Sequence, residues 1–245
     1  MAFKTVCEIV PSMAHREAGA PCEDFAHISN YGEHVVMVVA DGAGSKQYVE
    51  SHRASAIAVF AAIHHARQFI NPETIRSASE WKPALKAVMD RTQTDLETVA
   101  NGMAIPVDRF ATTLIVTAAT AGTVVTAQCG DGAVVVETRN SELISAGAAF
   151  DSRFANYTQF LTPNAPIGFK RCVLPVRNIM SFSDGIEPAA ILGGKPFEGF
   201  FRPVFRWSTE LPTDACRERI KNLLNSDGVQ LLGDDVSCVV ATVED

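Results

Sequence analysis

The chain has 245 residues, of which 47% are apolar and 20% charged, a balance that supports a full hydrophobic core and excludes a disordered chain. Its formal net charge of −7, without a visible Lys/Arg cluster, excludes a nucleic-acid footprint and suits a protein that gathers cations.

Taken in chain order, Phe3 to Val10 predicts a strand, followed by a polar loop holding Pro11 and Pro21. A strand near Phe25 to Ser29 and the apolar run Val35 to Ala40 come next. Tyr48 to Ile70 is Ala-rich, with apolar residues at helical spacing, and Asn71-Pro72 halts it. A second helix spans Trp81 to Ala100, its stripe formed by Leu85, Val88, Met89, Leu96 and Val99, with Gly102 as the stop. Phe110 to Ala118, Val124 to Cys129 and Ala133 to Glu137 form a predicted β-meander, with turns at Thr120-Ala121-Gly122 and Gly130-Asp131-Gly132.

Residues 145 to 168 lack periodicity and predict a long surface excursion of the kind that carries function. Cys172 to Val176 and Ile179 to Phe182 are predicted strands, 188 to 226 is mostly helical, and Val236 to Val243 closes the chain as a strand. No linker or repeat divides it, so residues 1–245 are expected to form one domain of α+β class, a four-layer αββα sandwich of two mainly antiparallel sheets with helices outside. The N-terminus lacks a signal-peptide core, and no apolar stretch approaches the ~20 residues of a membrane span. Six scattered cysteines without metal spacing are expected as free thiols, so a soluble cytoplasmic protein with no membrane partner follows.

Acidic residues recur where predicted strands begin or end: Asp41, Asp131, Asp184 and Asp234, with a further pair at Glu23-Asp24. Apolar β-branched runs need burial, whereas an ionised carboxylate needs water, a cation or donors, and strand ends meet both demands. In antiparallel neighbours such ends converge on one rim, where several carboxylates repel unless a hard cation sits between them. Each Asp-Gly pair alone also reads as an ordinary hairpin turn.

Six segments then carry a resemblance: Glu23-Asp24, Asp41-Gly42-Ala43-Gly44, Ala111-Thr112-Thr113-Leu114, Gly130-Asp131-Gly132, Phe182-Ser183-Asp184-Gly185 and Asp234-Asp235-Val236-Ser237. Their order resembles that of the metal-dependent serine/threonine protein phosphatases, the type 2C family, and His15 to Asp24 looks closest to a divergent bacterial branch. The resemblance implies two antiparallel sheets flanked by helices and two core Mn²⁺ or Mg²⁺ ions, with a third, weaker one in bacterial members. By motif, Asp41 resembles the carboxylate bridging both ions, Gly42 the backbone-carbonyl ligand of one, and Asp184 and Asp234 ligands of the other. Asp24 resembles the carboxylate that holds metal-bound water, with Glu23 in support, and Asp131 a ligand of the third ion.

Two cations sharing a water would lower its pKa toward about 7 and present hydroxide to phosphorus. Arg16 is the candidate for neutralising phosphoryl oxygens, set against an ordinary solvated loop arginine. The expected reaction is hydrolysis of phosphoserine and phosphothreonine on proteins, with a phosphoprotein substrate and a cognate kinase as partners.

Departures from the family pattern are Ala43 where a His is common, Asp235 for a frequent Asn, and Pro188 where another acid often stands. Ala43 and the loop from Ser145 to Gly168 motivate an alternative, a catalytically weak regulatory module that binds a phosphoprotein or kinase. Cys-x₅-Arg, Asp-x-Asp-x-Thr, P-loop and Gly-x-Ser-x-Gly patterns are absent, which removes the rival hydrolase classes. His27, His34, His52, His64 and His65 are expected off the site, Trp81 and Trp207 as packing anchors, and Cys22 as a thiol kept unreactive by acidic neighbours.

Overall fold

The computed structural model describes residues 1–45, 47–48, 50–148, 158–230 and 233–244. Strand β1 (Phe3–Val10) leads through a short helix α1 (Met13–Ala18) to the hairpin of β2 (Asp24–Tyr31) and β3 (His34–Asp41). Helices α2 (Ser51–Phe69), α3 (Pro72–Arg76) and α4 (Trp81–Gly102) follow. Next come β4 (Leu114–Thr120), β5 (Thr123–Cys129), β6 (Ala133–Thr138), β7 (Leu143–Ser145), β8 (Gly168–Val173) and β9 (Val176–Phe182). The chain ends with α5 (Glu187–Ala190), the hairpin of β10 (Ile191–Leu192) and β11 (Lys195–Pro196), then α6 (Glu198–Glu210), α7 (Thr213–Leu224), α8 (Asp227–Gln230) and β12 (Val236–Val243).

Two five-stranded sheets, ordered β1-β12-β9-β6-β7 and β2-β3-β4-β5-β8, are antiparallel throughout. The run Val35–Ala40 shows why they stack. Val36, Val38 and Ala40 pack with Ala54, Ala58 and Ala62 of α2 and with Leu85 and Met89 of α4. Val35, Met37 and Val39 pack the opposite way, against Ile179, Val239 and Ala241 of the other sheet. A strand covered on both faces has no polar side to show, hence its unbroken apolar sequence. On the outer face of the sheet that holds β9 and β12, Phe201, Val204 and Phe205 of α6 and Cys216 and Ile220 of α7 meet Met180, Phe182 and Val240. The result is the expected αββα sandwich. No helix among the described residues is long and apolar enough to cross a membrane.

Several elements differ from the sequence reading. The Pro11–Pro21 loop contains α1, capped by Ser12, whose side chain accepts from the His15 amide, and closed by Gly19 at φ +63°; six residues with none buried leave no apolar period to read. The long helix begins at Ser51, and Pro72 opens α3 with Asn71 as its cap. The strand expected at Cys172–Val176 is β8, which ends at Val173, and β9 starts at Val176. The segment 188–226 is broken by the β10–β11 hairpin. Of the excursion 145–168, residues 149–157 lie outside the described residues.

The largest difference lies at Gly130-Asp131-Gly132. β5 pairs with β4 and β8, whereas β6 pairs with β7 and β9, so this tripeptide steps between sheets instead of closing a hairpin. Gly130 and Gly132 take φ of +96° and +87°, and a Cβ on Gly132 would lie 2.7 Å from the Phe182 carbonyl oxygen. Positive φ and close backbone approach together demand glycine there.

Candidate metal centre

The crossover places Asp131 on the rim where β3 and β9 end and β2 and β12 begin. Asp24 and Asp41 are directly opposed in the β2–β3 ladder, Asp184 follows β9 in a 3₁₀ turn, and Asp234 precedes β12. Asp41, Asp131 and Asp184 each bring a carboxylate oxygen to within 4.8 Å of the other two.

The backbone of Asp41 is held by the Ala111–Leu114 segment. Its amide donates to Thr113 Oγ1 at 3.0 Å, and its carbonyl accepts from the Thr113 amide at 2.8 Å and from Thr112 Oγ1 at 2.9 Å. Gly42 bridges to Thr112, and a Cβ there would lie 2.7 Å from the Ser51 carbonyl oxygen, so no other residue fits. The Asp131 crossover is gathered by Gln128, whose amide nitrogen donates to the Gly132 and Asp131 carbonyls at 2.9 and 3.2 Å. Thr158 donates to Asp131 Oδ2 at 2.8 Å.

Other carboxylate oxygens lack partners among the described residues. Asp24 is 2% exposed with both oxygens unbonded, and Asp131 Oδ1 and Asp184 Oδ1 are also buried and unsatisfied. The electrostatics record the same deficit. Burial pushes Asp24 up to about 7. Asp184 is pushed up to about 7 by burial and then by Asp131, Asp234 and Asp24. Asp41 lies well above the usual carboxylate range through burial and the charges of Asp24, Asp184 and Asp234, and Asp234 is raised chiefly by burial. Buried, unbonded, mutually repelling oxygens fit hard divalent cations, which accept several oxygen ligands.

Residues that the sequence reading missed complete the rim. Asp235 is fully buried and accepts from the Ser12 amide at 2.7 Å, the Glu23 amide at 2.5 Å and His15 Nδ1 at 2.9 Å. It ties α1 and the entry to β2 to the strand that follows Asp234. His15 Nε2 lies 4.0 Å from Glu23 Oε2, and Glu23 Oε1 accepts from Ser51 Oγ at 2.8 Å. Glu187 is raised by burial and by Asp131, so Asp131 has an acidic neighbour although Pro188 is not acidic. The doublets Glu23-Asp24 and Asp234-Asp235 were the available signal, but nothing in sequence separates a rim acid from a buried organiser.

Arg16, weighed between a phosphate-binding group and an ordinary loop arginine, is engaged by protein groups. Its guanidinium donates to Asn225 Oδ1 at 2.7 Å and Gln230 Oε1 at 3.0 Å, so neutral side chains hold it. Lying on α1 instead of in a loop, it joins that helix to the α7–α8 segment. His65 pairs with Asp95, and His34 stacks on Tyr31 at the end of β3 opposite Asp41. Trp81 and Trp207 pack against the two outer cores. Burial, then Asp235 and Asp24, raise the Cys22 thiol far above its ordinary value.

The chain matches the protein phosphatase 2C family over residues 13–225. Among solved structures, it is similar to the catalytic domain of serine threonine protein phosphatase PstP in complex with two manganese ions, at 15% identity and a TM-score of 0.68, over 100% of this chain and 99% of that one. The Mycobacterium tuberculosis phosphatase PstP/Ppp is similar at 14% identity and 0.68, covering 100% of both chains. RsbX in complex with magnesium is similar at 8% identity and 0.62, over 99% of this chain and 96% of that one. No curated protein matches the chain.

Proposed function

Because the chain belongs to the protein phosphatase 2C family, we propose that it is a divalent-metal-dependent phosphatase that hydrolyses phosphoserine and phosphothreonine on proteins. The observation that carries this reading is the meeting of Asp41, Asp131 and Asp184 oxygens within 4.8 Å, beside Asp24 oxygens that have no hydrogen-bond partner among the described residues. Perturbed, convergent carboxylates of this kind support a reacting site over a binding surface alone.

Asp41, Asp184 and Asp234, with the Gly42 carbonyl, would hold two Mn²⁺ or Mg²⁺ ions, as the manganese and magnesium of the PstP and RsbX structures suggest. Asp131 would serve a third, with Glu187 adding negative charge next to it. When bound, such ions supply Lewis acidity toward water and phosphoryl oxygens. The unbonded oxygens of Asp24 would accept a proton from the attacking water. Asp235 and His15 position this acid and Asp234.

The pairing of β1 with β12 supports the reading of residues 1–245 as one such domain. A cytoplasmic phosphoprotein, together with the kinase that modifies it, is the substrate and partner this reading implies. The deciding experiment strips metal with a chelator, restores Mn²⁺ or Mg²⁺, and measures hydrolysis of p-nitrophenyl phosphate and of phosphoserine and phosphothreonine peptides. Activity that vanishes and returns supports the proposal. No hydrolysis at any metal concentration would leave the regulatory module, which Ala43 motivates, as the better reading.

A further inference from the structure

Four arginines gather at the end of the sandwich away from the acidic rim. A groove of about 490 Å³ between α6 and the starts and ends of β9 and β6 is lined by Arg177, Arg202, Arg206, Glu137, Thr209 and Glu210. A second of about 160 Å³ shares Arg177 and Thr209 with it and adds Arg139. Arg177 lies near the start of the seven-residue strand β9, which ends beside Asp184. At about 3.3 Å per residue, that strand separates the groove from the acidic cluster by roughly 20 Å.

The charges are not internally neutralised. Arg202 is committed: Nη1 donates to Glu137 Oε1 at 2.9 Å and Nη2 to Glu198 Oε1 at 3.1 Å. Glu137 is buried and further satisfied by Asn178 Nδ2 at 2.7 Å, so this carboxylate is a fixed part of the wall. Arg177 and Arg206 are exposed and make no ion pair among the described residues. Among the described residues Glu210 is the one remaining carboxylate on the wall of the larger groove, which leaves positive charge in excess. In a chain of net charge −7, two unpaired guanidinium groups facing one cleft are unexpected unless an anion visits.

We propose that this groove binds a phosphorylated side chain on a protein segment, at a site separate from the acidic rim. A guanidinium presents paired donors that match two phosphate oxygens, and arginines from a strand and a helix approach the anion from two sides. The linked grooves are longer than a lone phosphate needs, and the Thr209 and Ser141 hydroxyls with the Pro203 and Phe205 surface offer contacts to flanking residues. A concave cleft of this kind suits a chain segment better than a flat lipid surface.

The test is the anisotropy of a fluorescent phosphoserine peptide, measured in EDTA so that turnover cannot interfere, on wild type and on R177E/R206E. The double variant should bind at least about tenfold more weakly, as should the unphosphorylated peptide on wild type. Both proteins should melt alike, and p-nitrophenyl phosphate turnover with Mn²⁺ should stay within about twofold. Wild-type affinity in the double variant overturns the site. Inorganic phosphate competing as strongly as the peptide assigns the groove to a free anion and overturns the segment. Vesicles rich in anionic lipid that bind where the phosphopeptide does not overturn it in favour of a membrane. If wild type hydrolyses nothing, the proposed activity fails while the binding measurement still decides the groove.

Discussion

Asp24 and Asp41 stand directly opposite each other at the last rung of the β2–β3 ladder. Opposed residues project to the same side of a sheet with Cβ atoms about 5 Å apart, and like charges there destabilise it. Here the pair is also buried, so each carboxyl is pushed upward in pKa, first by burial and then, for Asp41, by Asp24 itself. A proton or a cation relieves this, and the chain's behaviour depends on which is present.

Removing one member should therefore separate stability from function. Asp41→Asn is expected to raise the melting temperature in EDTA, because a buried repulsion disappears, yet to lose at least one Mn²⁺ by calorimetry and to lower turnover by about a hundredfold or more. Unchanged metal stoichiometry together with unchanged activity would reject Asp41 as a ligand.

The pH response follows from sign. Asp24 and Asp184 have folded values near 7 against an ordinary 3.8, so between these limits the folded state holds more protons than the unfolded state. Metal-free stability should then be highest toward the acid side of this window and fall as pH rises through about 7. Saturating Mn²⁺ should flatten the profile, because cations replace the protons. Thermal melts from pH 5 to 8 in EDTA and in Mn²⁺ check this; a metal-free melting temperature that rises with pH would contradict it.

Asp131 sits on the crossover, apart from the opposed pair. Asp131→Ala should keep two tight ions, weaken a looser one and reduce turnover, and Thr158→Val should reproduce a milder form by freeing Asp131 Oδ2 from its hydroxyl. Activity titrated against Mn²⁺ is the readout. A curve superimposable on wild type for Asp131→Ala would mean that the residue only shapes the crossover.

Arg16 and Asp235 should behave oppositely to a ranking by charge alone. Arg16→Ala removes hydrogen bonds to Asn225 and Gln230 and is expected to cost about 1 kcal/mol while leaving KM for a phosphopeptide within about twofold. Asp235→Ala strands the Ser12 and Glu23 amides in the interior and should cost about 3 kcal/mol. Denaturant melts and steady-state kinetics on both variants decide; a large KM increase in Arg16→Ala would restore it as the phosphate-binding group.

Much of this protein was legible as a string of residues. Runs such as Val35–Ala40 and Val236–Val243 can only be buried strands, the helical stripe from Leu85 to Val99 can only cover a sheet, and acids at strand ends can only lie on a rim. These are local consequences of period and solvation, so the αββα class and the acids at Asp24, Asp41, Asp131, Asp184 and Asp234 followed without coordinates. Tertiary structure decided what depends on pairing between distant segments. Gly130-Asp131-Gly132 has the chemistry of a hairpin turn, and only the pairing of β6 with β9 turns it into a step between sheets that delivers Asp131 to Asp41 and Asp184. Asp235 and Asp234 are adjacent and chemically identical, yet the turn into β12 sends Asp235 inward to three donors and leaves Asp234 at the rim. Arg16 and the groove arginines differ in the same way: partners more than two hundred positions away hold the first, while Arg177 and Arg206 have none among the described residues, a distinction set by packing and invisible to composition.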